Sequence, residues 1–350
     1  MRIAVCISGC PRSYKISAPF IRQFYEFNKK FDTTECLKLY NQLNVDYEVE
    51  VDYFIHSWDE DWYYWNFSKD YRWDLKCEGS DKSGNFDPKL KKVEKLNKLQ
   101  LENNFTKLYN PKVLKIEKMN VLDSVITDIL DYMKFEEKFK WLDPHNTLDD
   151  RRSNYHKLGQ TYAANTTQNL AKNWAIENNI EYDVVVRQRP DCIPVGDFVD
   201  RYSLFTRCID NKDIIYDNCH WVADGRFCME DKMFYGHSSS MNKYFDKTYD
   251  KIKFIASNDF FYKTIGNEND EKLKKITQRN STKGVHLLAG YLFGSQLLVS
   301  GCNVETAIIH TSVLRKDVED INLSELTMEK IWQIDQCTMN REPIPEWVFE

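Results

Sequence analysis

The stretch Tyr182–Asp191, which reads YDVVVRQRPD, constrains the fold of this chain more than any other. Its three consecutive valines form a β-branched run without a polar face, which is typical of a strand buried on both sides of a sheet. The run ends in Arg187, Arg189 and Asp191, and Pro190 forces the chain out of the strand. In open α/β sheets, ligands bind beyond the carboxyl ends of the strands. The stretch therefore predicts a site for a phosphate-bearing ligand, with or without a divalent metal.

The bulk composition is that of a globular protein. The 350 residues suffice for one large or two smaller domains, and the aromatic content of 14% excludes a disordered chain. The net charge of −6 argues against a generally basic surface but is compatible with a local basic groove. The ten cysteines form no CxxC pair, and no apolar run has membrane-spanning length. We therefore expect a soluble, cytoplasmic protein without a membrane partner.

Strand-like and helix-like patterns alternate along the chain. This alternation predicts an α/β fold with a mostly parallel central sheet, mixed at its far edge and flanked by helices. The first two predicted strands are Arg2–Ser8 and Val49–Trp58. From Trp62 to Lys107 the pattern gives way to aromatic, Gly, Ser and Lys-rich sequence, which predicts an insertion at about residues 62–107. Neither a repeat nor a linker is evident, so a single domain over 1–350 is favoured over two.

The turn after the first strand contains Gly9 and Arg12. Gly9 permits a ligand to approach the backbone closely, and Arg12 offers a planar fork for phosphate. An ordinary turn with an exposed arginine explains the segment equally well. The sequence contains no GxGxxG after this strand, no GxxxxGK[ST] and no GxSxG. These absences argue against a classical dinucleotide-binding fold, a P-loop enzyme and the simplest hydrolases.

Four segments occur in the order of a known family. They read IAVCISGCPRSY, VDYFIHSWD, YDVVVRQRPD and EDKMFYG. Together they resemble a group of GT-A-type glycosyltransferases that is frequent in phages and large DNA viruses. The similarity runs from Arg2 to about His310 and leaves out the expected insertion. It implies a Rossmann-like fold, a nucleotide-sugar-binding half at residues 1–190, an acceptor-binding half at 191–350 and a UDP-sugar donor.

The resemblance also implies the donor-binding residues. The turn at Gly9 and Arg12 matches the family's first nucleotide-binding loop, and the end of the Tyr182–Asp191 stretch matches the position of its DxD motif. Only the last acid, Asp191, is present, because Arg189 stands where the first would be. Arg187 or Arg189 is then expected to neutralise the donor diphosphate. Asp191 is expected to bind Mn²⁺ or Mg²⁺, or a hydroxyl of the donor.

Three further residues are candidates for catalysis or metal binding. An inverting glycosyltransferase needs a base that deprotonates the acceptor hydroxyl. Asp231 is the first candidate because it precedes a strand in the second half. His286 is the second, because it begins an apolar helix whose N-terminus disfavours a protonated imidazole. His310 ends the last predicted strand and is expected to complete a metal site with Asp191, as a late histidine does in the family. A structural role is an equal alternative for each.

The expected acceptor also comes from the resemblance. Some phage glycosyltransferases modify 5-hydroxymethylcytosine in their own DNA with glucose or arabinose, which favours this base in double-stranded DNA and a donor of UDP-arabinose or UDP-glucose. Residues 88–100 (five Lys, one Glu) and 271–284 (five cations, one anion) each have a local charge of +4, which is compatible with DNA or with a solvated loop. The alternatives are an acceptor polysaccharide or lipid-linked glycan, and a non-catalytic nucleotide- or glycan-binding protein. For a viral protein, the compartment would be the host cytoplasm.

Overall fold

The described part of the chain is organised around one large sheet. This computed structural model describes residues 1–11, 14–26, 49–64, 91–125, 151–196, 198–218, 220–223, 226–255, 289–307, 309–313 and 330. The strands are β1 Arg2–Gly9, β2 Glu50–Trp58, β3 Glu60–Tyr64, β4 Lys91–Lys95, β5 Val113–Glu117, β6 Val184–Gln188, β7 Cys192–Val195, β8 Ile214–Asp217, β9 His220–Ala223, β10 Arg226–Met229, β11 Met233–His237, β12 Asn303–Thr306 and β13 His310–Val313. The helices are α1 Tyr14–Tyr25, α2 Lys98–Tyr109, α3 Arg151–Glu177, α4 Phe198–Asp210, α5 Ser238–Phe245, α6 Thr248–Ile255 and α7 Ala289–Ser300, with a 3-10 turn at Met119–Val121.

Seven strands form the sheet in the order β12-β8-β11-β6-β1-β2-β5. The pairs β1–β2, β1–β6, β2–β5 and β8–β12 are parallel, whereas β11 is antiparallel to both of its neighbours, β6 and β8. The predicted α/β class with a mostly parallel sheet and flanking helices is confirmed. The antiparallel strand, however, lies inside the sheet and not at its far edge, because β11 starts at the edge where β6 ends.

The two faces of the sheet bury different sets of side chains. Along β1 the residues alternate, so that Ile3–Ile7 point to opposite faces in turn. The odd-numbered residues pack with α1, α2 and α4, while Ala4 and Cys6 pack with α3, α5 and α7. Helix α3 meets this second face through Ala164 and Ala171. Small side chains on both partners allow the long helix to lie close to β1. None of the described helices combines the length and the apolar character that crossing a membrane requires.

Helix α2 lies within the range that the sequence predicts as an insertion. Its start is capped by Asn97, whose side chain accepts a hydrogen bond from the backbone of Gln100 at 3.1 Å. Leu101, Phe105 and Tyr109, spaced four residues apart, are buried in the core beneath the sheet. This part of the range is therefore a packed crossover helix between β2 and β5. Residues 65–90 lie outside the described residues, and the division of the chain into halves stays a prediction.

The packing of α2 predicts a stability difference between two of its positions. Phe105→Ala should lower the free energy of unfolding by about 3–5 kcal/mol, because a fully buried aromatic side chain is lost and a cavity remains. Leu99→Ala on the same helix should change it by less than about 0.5 kcal/mol, since Leu99 is 66% exposed. Urea unfolding followed by circular dichroism measures both values. Equal effects would show that α2 does not belong to the core.

Candidate functional site

A cleft opens where the strand order of the sheet reverses. From β1 the chain continues to β2 and β5 on one side, and β6 then returns to the other side of β1. The carboxyl ends of β1 and β6 therefore border the crevice in which α/β proteins of this topology bind ligands. The cleft has free space of about 20 Å³, so a ligand larger than a water molecule has to lie across its mouth or displace a lining side chain. Its lining residues are Ser8, Gly9, Cys10, Trp58, Met119, Gly159, Gln160, Arg189, Pro190 and Asp191.

Gly9 joins the ends of β1 and β6. Its φ of +133° lies in the region that favours glycine. A Cβ atom at this position would lie 3.6 Å from Cδ of Pro190. The hydroxyl of Ser57, on β2, donates to the Gly9 carbonyl at 3.3 Å. Gly9 therefore lines the cleft at the point where the Arg-Pro-Asp segment leaves β6.

Arg189 is held between two carboxylates at this edge of the sheet. Its Nε donates to Oδ1 of Asp191 at 2.9 Å and its Nη2 donates to Oδ2 of the same residue at 2.6 Å, which is a bidentate ion pair. Its Nη1 donates to Oδ2 of Asp231 at 3.2 Å. Asp191 is almost fully buried, whereas Asp231 keeps 26% of its side chain exposed. The three side chains form one ionic unit, with Arg189 in its centre.

The charge of Arg189 is firmly retained. Burial disfavours the charged guanidinium, but Asp191 and Asp231, together with Cys192, outweigh it and raise the pKa of Arg189 above its usual value. The three bonds to carboxylates use three of the five N–H groups of the guanidinium. Two N–H groups are left for a further acceptor. An anionic ligand in the cleft would meet a cation that is fixed in orientation and whose charge is offset by two carboxylates.

Arg187 has a different position from Arg189. It is 1% exposed, and its Nη1 donates to the carbonyls of Asp231 and Lys232, the latter at 2.7 Å. Its guanidinium carbon lies 6.0 Å from the ring centre of Phe234 and 5.4 Å from that of Phe293. Burial lowers the pKa of Arg187 to about 10, so the side chain remains charged at neutral pH. It fixes the segment that carries Asp231 onto β6 and does not line the cleft.

A buried amide supports the turn that carries Arg189. Gln188 donates through Nε2 to the carbonyls of Arg189 at 2.8 Å and of Cys192 at 2.7 Å. The hydroxyl of Tyr25, on α1, donates to Oε1 of Gln188 at 2.9 Å. Ser17, also on α1, donates to the Pro190 carbonyl. Sequence reasoning missed this support. The sequence signal was a polar residue, Gln188, after the apolar part of the strand.

A second polar cluster lies next to the cleft, around His56. The ring of His56 is fully buried, with Nε2 at 3.0 Å from Oε2 of Glu117. Glu117 also accepts from the hydroxyl of Tyr162 at 3.2 Å and pairs with Lys115 at 3.0 Å. Desolvation lowers the pKa of His56, and the bond from His56 is the main cause that lowers the pKa of Glu117 to about 2. The cluster touches the cleft through Trp58, whose ring centre is 4.7 Å from that of His56.

The structure brings together three of the predicted donor-binding residues. Gly9, Arg189 and Asp191 line the same cleft. Asp231, the first candidate base, lies directly behind Arg189 at the same edge. Arg187 is close in sequence but buried beneath this group. The individual roles of these residues in donor binding and catalysis stay predictions.

The remaining predicted site residues cannot be placed in the site. Arg12 and His286 lie outside the described residues. The backbone of His310 begins β13 and pairs with Val195 on β7. The position of its side chain is not described. Their proposed roles in donor binding, catalysis and metal binding therefore stay predictions.

The bonding of Asp191 does not fit a divalent cation in this arrangement. Both carboxylate oxygens accept hydrogen bonds from Arg189, so a cation there would have to displace the guanidinium. Among the described residues, no three His, Cys, Asp or Glu side chains come together as a metal-binding group. Binding of Mn²⁺ or Mg²⁺ by Asp191 with His310 stays a prediction. The described residues provide a cation of their own, Arg189.

Comparisons with known proteins add little to this picture. No protein-family model matches the chain, and no curated protein matches it. Among solved structures, the chain is similar to the apo form of mouse xyloside xylosyltransferase 1, with a TM-score of 0.35 and 6% sequence identity. The similarity covers 87% of this chain and 83% of that chain. At this TM-score the likeness identifies neither a family nor an activity, so the chemistry of the site has to carry the function.

The His56–Glu117 pair predicts how stability depends on pH. Glu117 stays ionised in the folded protein down to about pH 2, whereas its pKa is 4.5 in the absence of the fold. Its contribution to the free energy of unfolding is therefore present above pH 4.5 and lost as the pH falls towards 2. The lowered pKa of His56 acts in the same direction, because the unfolded chain takes up a proton below about 6.5. In Glu117→Gln this part of the acid destabilisation should be absent. It amounts to at most about 3 kcal/mol of unfolding free energy between pH 4.5 and 2.

Urea unfolding between pH 7 and pH 3 tests this expectation. The matched control is Glu305→Gln, because Glu305 is a surface carboxylate that pairs with Arg207 and is 45% exposed. The control should keep the slope of the wild-type profile. An unchanged slope in Glu117→Gln would mean that the hydrogen bond between His56 and Glu117 does not stabilise the fold.

Proposed function

We propose that the chain is a glycosyltransferase that uses a nucleotide-sugar donor. The carrying observation is that the four segments resembling GT-A-type glycosyltransferases lie on four adjacent strands, β11, β6, β1 and β2. β1, β2 and β6 end at one edge of the sheet, and antiparallel β11 begins at that edge. Segments that are far apart in sequence therefore bring their polar ends to the edge of the sheet where the cleft lies. This convergence favours the interpretation that the four segments belong to one binding site, and argues against four chance resemblances.

The residues at the cleft suit the donor side of glycosyl transfer. When the sugar leaves its nucleotide, the bond between the sugar carbon and the phosphate oxygen breaks, and negative charge develops on the diphosphate. A cation fixed before the reaction stabilises this charge without reorganisation. Arg189 meets that requirement, because Asp191 and Asp231 fix its orientation and two of its N–H groups are left. Gly9 allows the diphosphate to approach the backbone of β1.

Asp231 is the candidate base on the acceptor side. In the transfer step, the acceptor oxygen bonds to the sugar carbon and its proton passes to the base, while the nucleoside diphosphate departs. A carboxylate contributes about 10²–10⁴-fold in such a step. Asp231 is partly exposed and pairs with Arg189, which lines the cleft, in contrast to the almost fully buried Asp191. Asp231 is therefore favoured as the base, with His286 as the alternative.

The finer proposal concerns the sugar and its acceptor. By the sequence resemblance, the donor is UDP-arabinose or UDP-glucose and the acceptor is 5-hydroxymethylcytosine in phage DNA. Part of the basic stretch supports an anionic acceptor at this edge. Leu96, which follows β4, bonds through its backbone to the carbonyl of Asp59 at 2.8 Å, immediately after β2. The backbone of this part of the stretch therefore returns to the edge of the sheet where the cleft lies.

Two alternatives remain as proposals. A polysaccharide or a lipid-linked glycan would use the same donor chemistry with a different acceptor. One observation favours a non-catalytic nucleotide- or glycan-binding protein. Two carboxylates offset the charge of Arg189, which weakens its electrostatic attraction for a diphosphate. Turnover distinguishes the enzyme from the binding protein. The nature of the acceptor requires a separate experiment.

The donor proposal predicts binding and slow hydrolysis of a UDP-sugar. Thermal unfolding and release of UDP are measured with a panel of UDP-sugars, with Mn²⁺ and with EDTA. Because Arg189 supplies the cation, we expect stabilisation by a UDP-sugar in EDTA as well. Arg189→Lys keeps the charge but loses the planar fork, and should weaken binding at least tenfold, about 1.4 kcal/mol. The matched control Arg207→Lys, in a surface ion pair with Glu305, should bind normally.

Asp231→Asn then separates chemistry from binding. The amide oxygen still accepts from Arg189 but cannot take a proton, so donor binding should persist while transfer falls by about 10²-fold or more. Wild-type protein that binds a UDP-sugar but never turns it over is a binding protein. Absence of any response to all nucleotides would remove the donor proposal.

The DNA proposal predicts a modified nucleoside. Duplex DNA that contains 5-hydroxymethylcytosine is incubated with the protein and either UDP-arabinose or UDP-glucose, digested to nucleosides and analysed by mass spectrometry. We expect a nucleoside heavier by one pentose or hexose unit, with a yield that falls steeply with added salt. The same DNA with unmodified cytosine is the control. Donor hydrolysis without any glycosylated nucleoside would reject DNA and leave the glycan acceptors.

A further inference from the structure

The guanidinium of Arg189 has one edge left on which a phosphate group can form two bonds. Nε and Nη2 donate to Asp191 at 2.9 and 2.6 Å and so occupy the first edge. A second bidentate contact therefore needs one N–H of Nη1 together with the remaining N–H of Nη2. Nη1 already donates to Oδ2 of Asp231 at 3.2 Å. A diphosphate bound in this way meets the carboxylate of Asp231 at the same nitrogen atom.

Two anions at one nitrogen atom repel each other. If both accept a hydrogen bond from Nη1, their oxygen atoms lie within about 5 Å of each other. Like charges at this distance are strongly unfavourable near a protein surface. A diphosphate carries more negative charge than a single carboxylate, and it gains bonds to both Nη1 and Nη2. The carboxylate is therefore the partner that leaves Arg189.

The two carboxylates that hold Arg189 differ in how easily they can leave it. Asp191 accepts two hydrogen bonds and is only 4% exposed, so its departure would leave an uncompensated charge in the interior. Asp231 accepts one longer hydrogen bond from Arg189, and 26% of its side chain is exposed. Its carboxylate can turn towards water, which solvates the charge. An incoming anion therefore displaces Asp231 and leaves the pair with Asp191 intact.

The backbone that carries Asp231 is fixed by contacts of its own. Nη1 of Arg187 donates to the carbonyls of Asp231 and Lys232, the latter at 2.7 Å. The backbone N–H of Arg189 donates to the same Lys232 carbonyl at 3.0 Å. Nζ of Lys232 pairs with Oε1 of Glu230 at 2.5 Å. Loss of the bond to Arg189 therefore releases the side chain of Asp231 but keeps its backbone at the edge of the sheet.

We propose that the diphosphate of the donor displaces Asp231 from Arg189, so that the candidate base becomes available only when the donor is bound. The inference rests on the proposed function, in which the cleft binds a nucleotide-sugar and Asp231 is the base. Without a donor, the bond from Arg189 stabilises the charged carboxylate and makes it a poorer proton acceptor. After the exchange, Asp231 takes the proton of the acceptor hydroxyl while the acceptor oxygen bonds to the sugar carbon and the bond from that carbon to the diphosphate breaks.

The affinity for inorganic pyrophosphate and for UDP tests this exchange. Both are measured by calorimetry on the full chain in EDTA. Asp231→Asn replaces the carboxylate by a neutral amide that accepts more weakly from Arg189, so the affinity for both ligands should rise about tenfold. Glu230→Gln is the matched control, because Glu230 is a neighbouring carboxylate that pairs with Lys232. It should change the affinity less than about twofold, since a surface charge next to the site acts only at a distance.

Salt separates the exchange from a general effect of charge. The measurements are made at about 0.1 and 1 M salt, where the Debye length is about 10 and 3 Å. The ratio of the affinities of Asp231→Asn and wild type should be the same at both concentrations, because direct competition for Nη1 is not screened. Asp231→Ala, which offers no acceptor to Arg189, covers the case in which Asp231→Asn does not fold and should show at least the same gain.

The outcomes distinguish this inference from the donor proposal. A gain in the Asp231 variants that persists at high salt, with a normal Glu230→Gln, supports the exchange. Equal affinity in wild type and the Asp231 variants, an equal gain in Glu230→Gln, or a gain that disappears at high salt overturns the exchange and leaves donor binding intact. If the wild type binds neither pyrophosphate nor UDP, the exchange and the donor proposal are both wrong.

Discussion

The bidentate ion pair between Arg189 and Asp191 is the interaction on which the edge of the sheet depends. Both side chains are buried or nearly so, and removing one partner of such a pair costs about 3–5 kcal/mol because the other charge is left uncompensated. Asp231 joins the same guanidinium from the segment before β11. One cation thereby connects the end of β6 to the segment before its antiparallel neighbour, next to the cleft that Arg189 and Asp191 line.

Arg187 and Arg189 show how the end of a strand separates a binding residue from a supporting one. Arg187 occupies the same face of the sheet as Cys6, with which it is paired in register. Its guanidinium lies near the rings of Phe234 and Phe293 and donates to the carbonyls of Asp231 and Lys232. Arg187 therefore has a structural role. Arg189 lies beyond the last paired residue of β6, where the chain turns into the cleft. Arg187 and Arg189 are only two residues apart, yet the first lies in the interior and the second at the candidate site.

The sequence predicted the class of the fold and the location of the cleft, because both follow from local pattern. Val184–Val186 indicated a strand buried on both faces, and the polar residues after it indicated a site at its carboxyl end. The ion pair to Asp231 and the support by Tyr25 could not be predicted, since both join residues more than 40 positions apart. The role of α2 was missed although the four-residue spacing of Leu101 and Phe105 carried the signal, because the surrounding lysines suggested a solvated insertion.

Besides the cleft, the fold holds a larger cavity between α3 and the connection from α5 to α6. The cleft is bordered by the guanidinium of Arg189, whereas four carboxamide side chains line the cavity, those of Asn165, Gln168, Asn169 and Asn242. A chain of ring contacts at 5.6 and 6.3 Å, from Trp58 through Tyr162 to Tyr249, connects the lining of one site with that of the other. Because α3 contributes residues to both linings, a ligand that shifts this helix at one site would change the shape of the other.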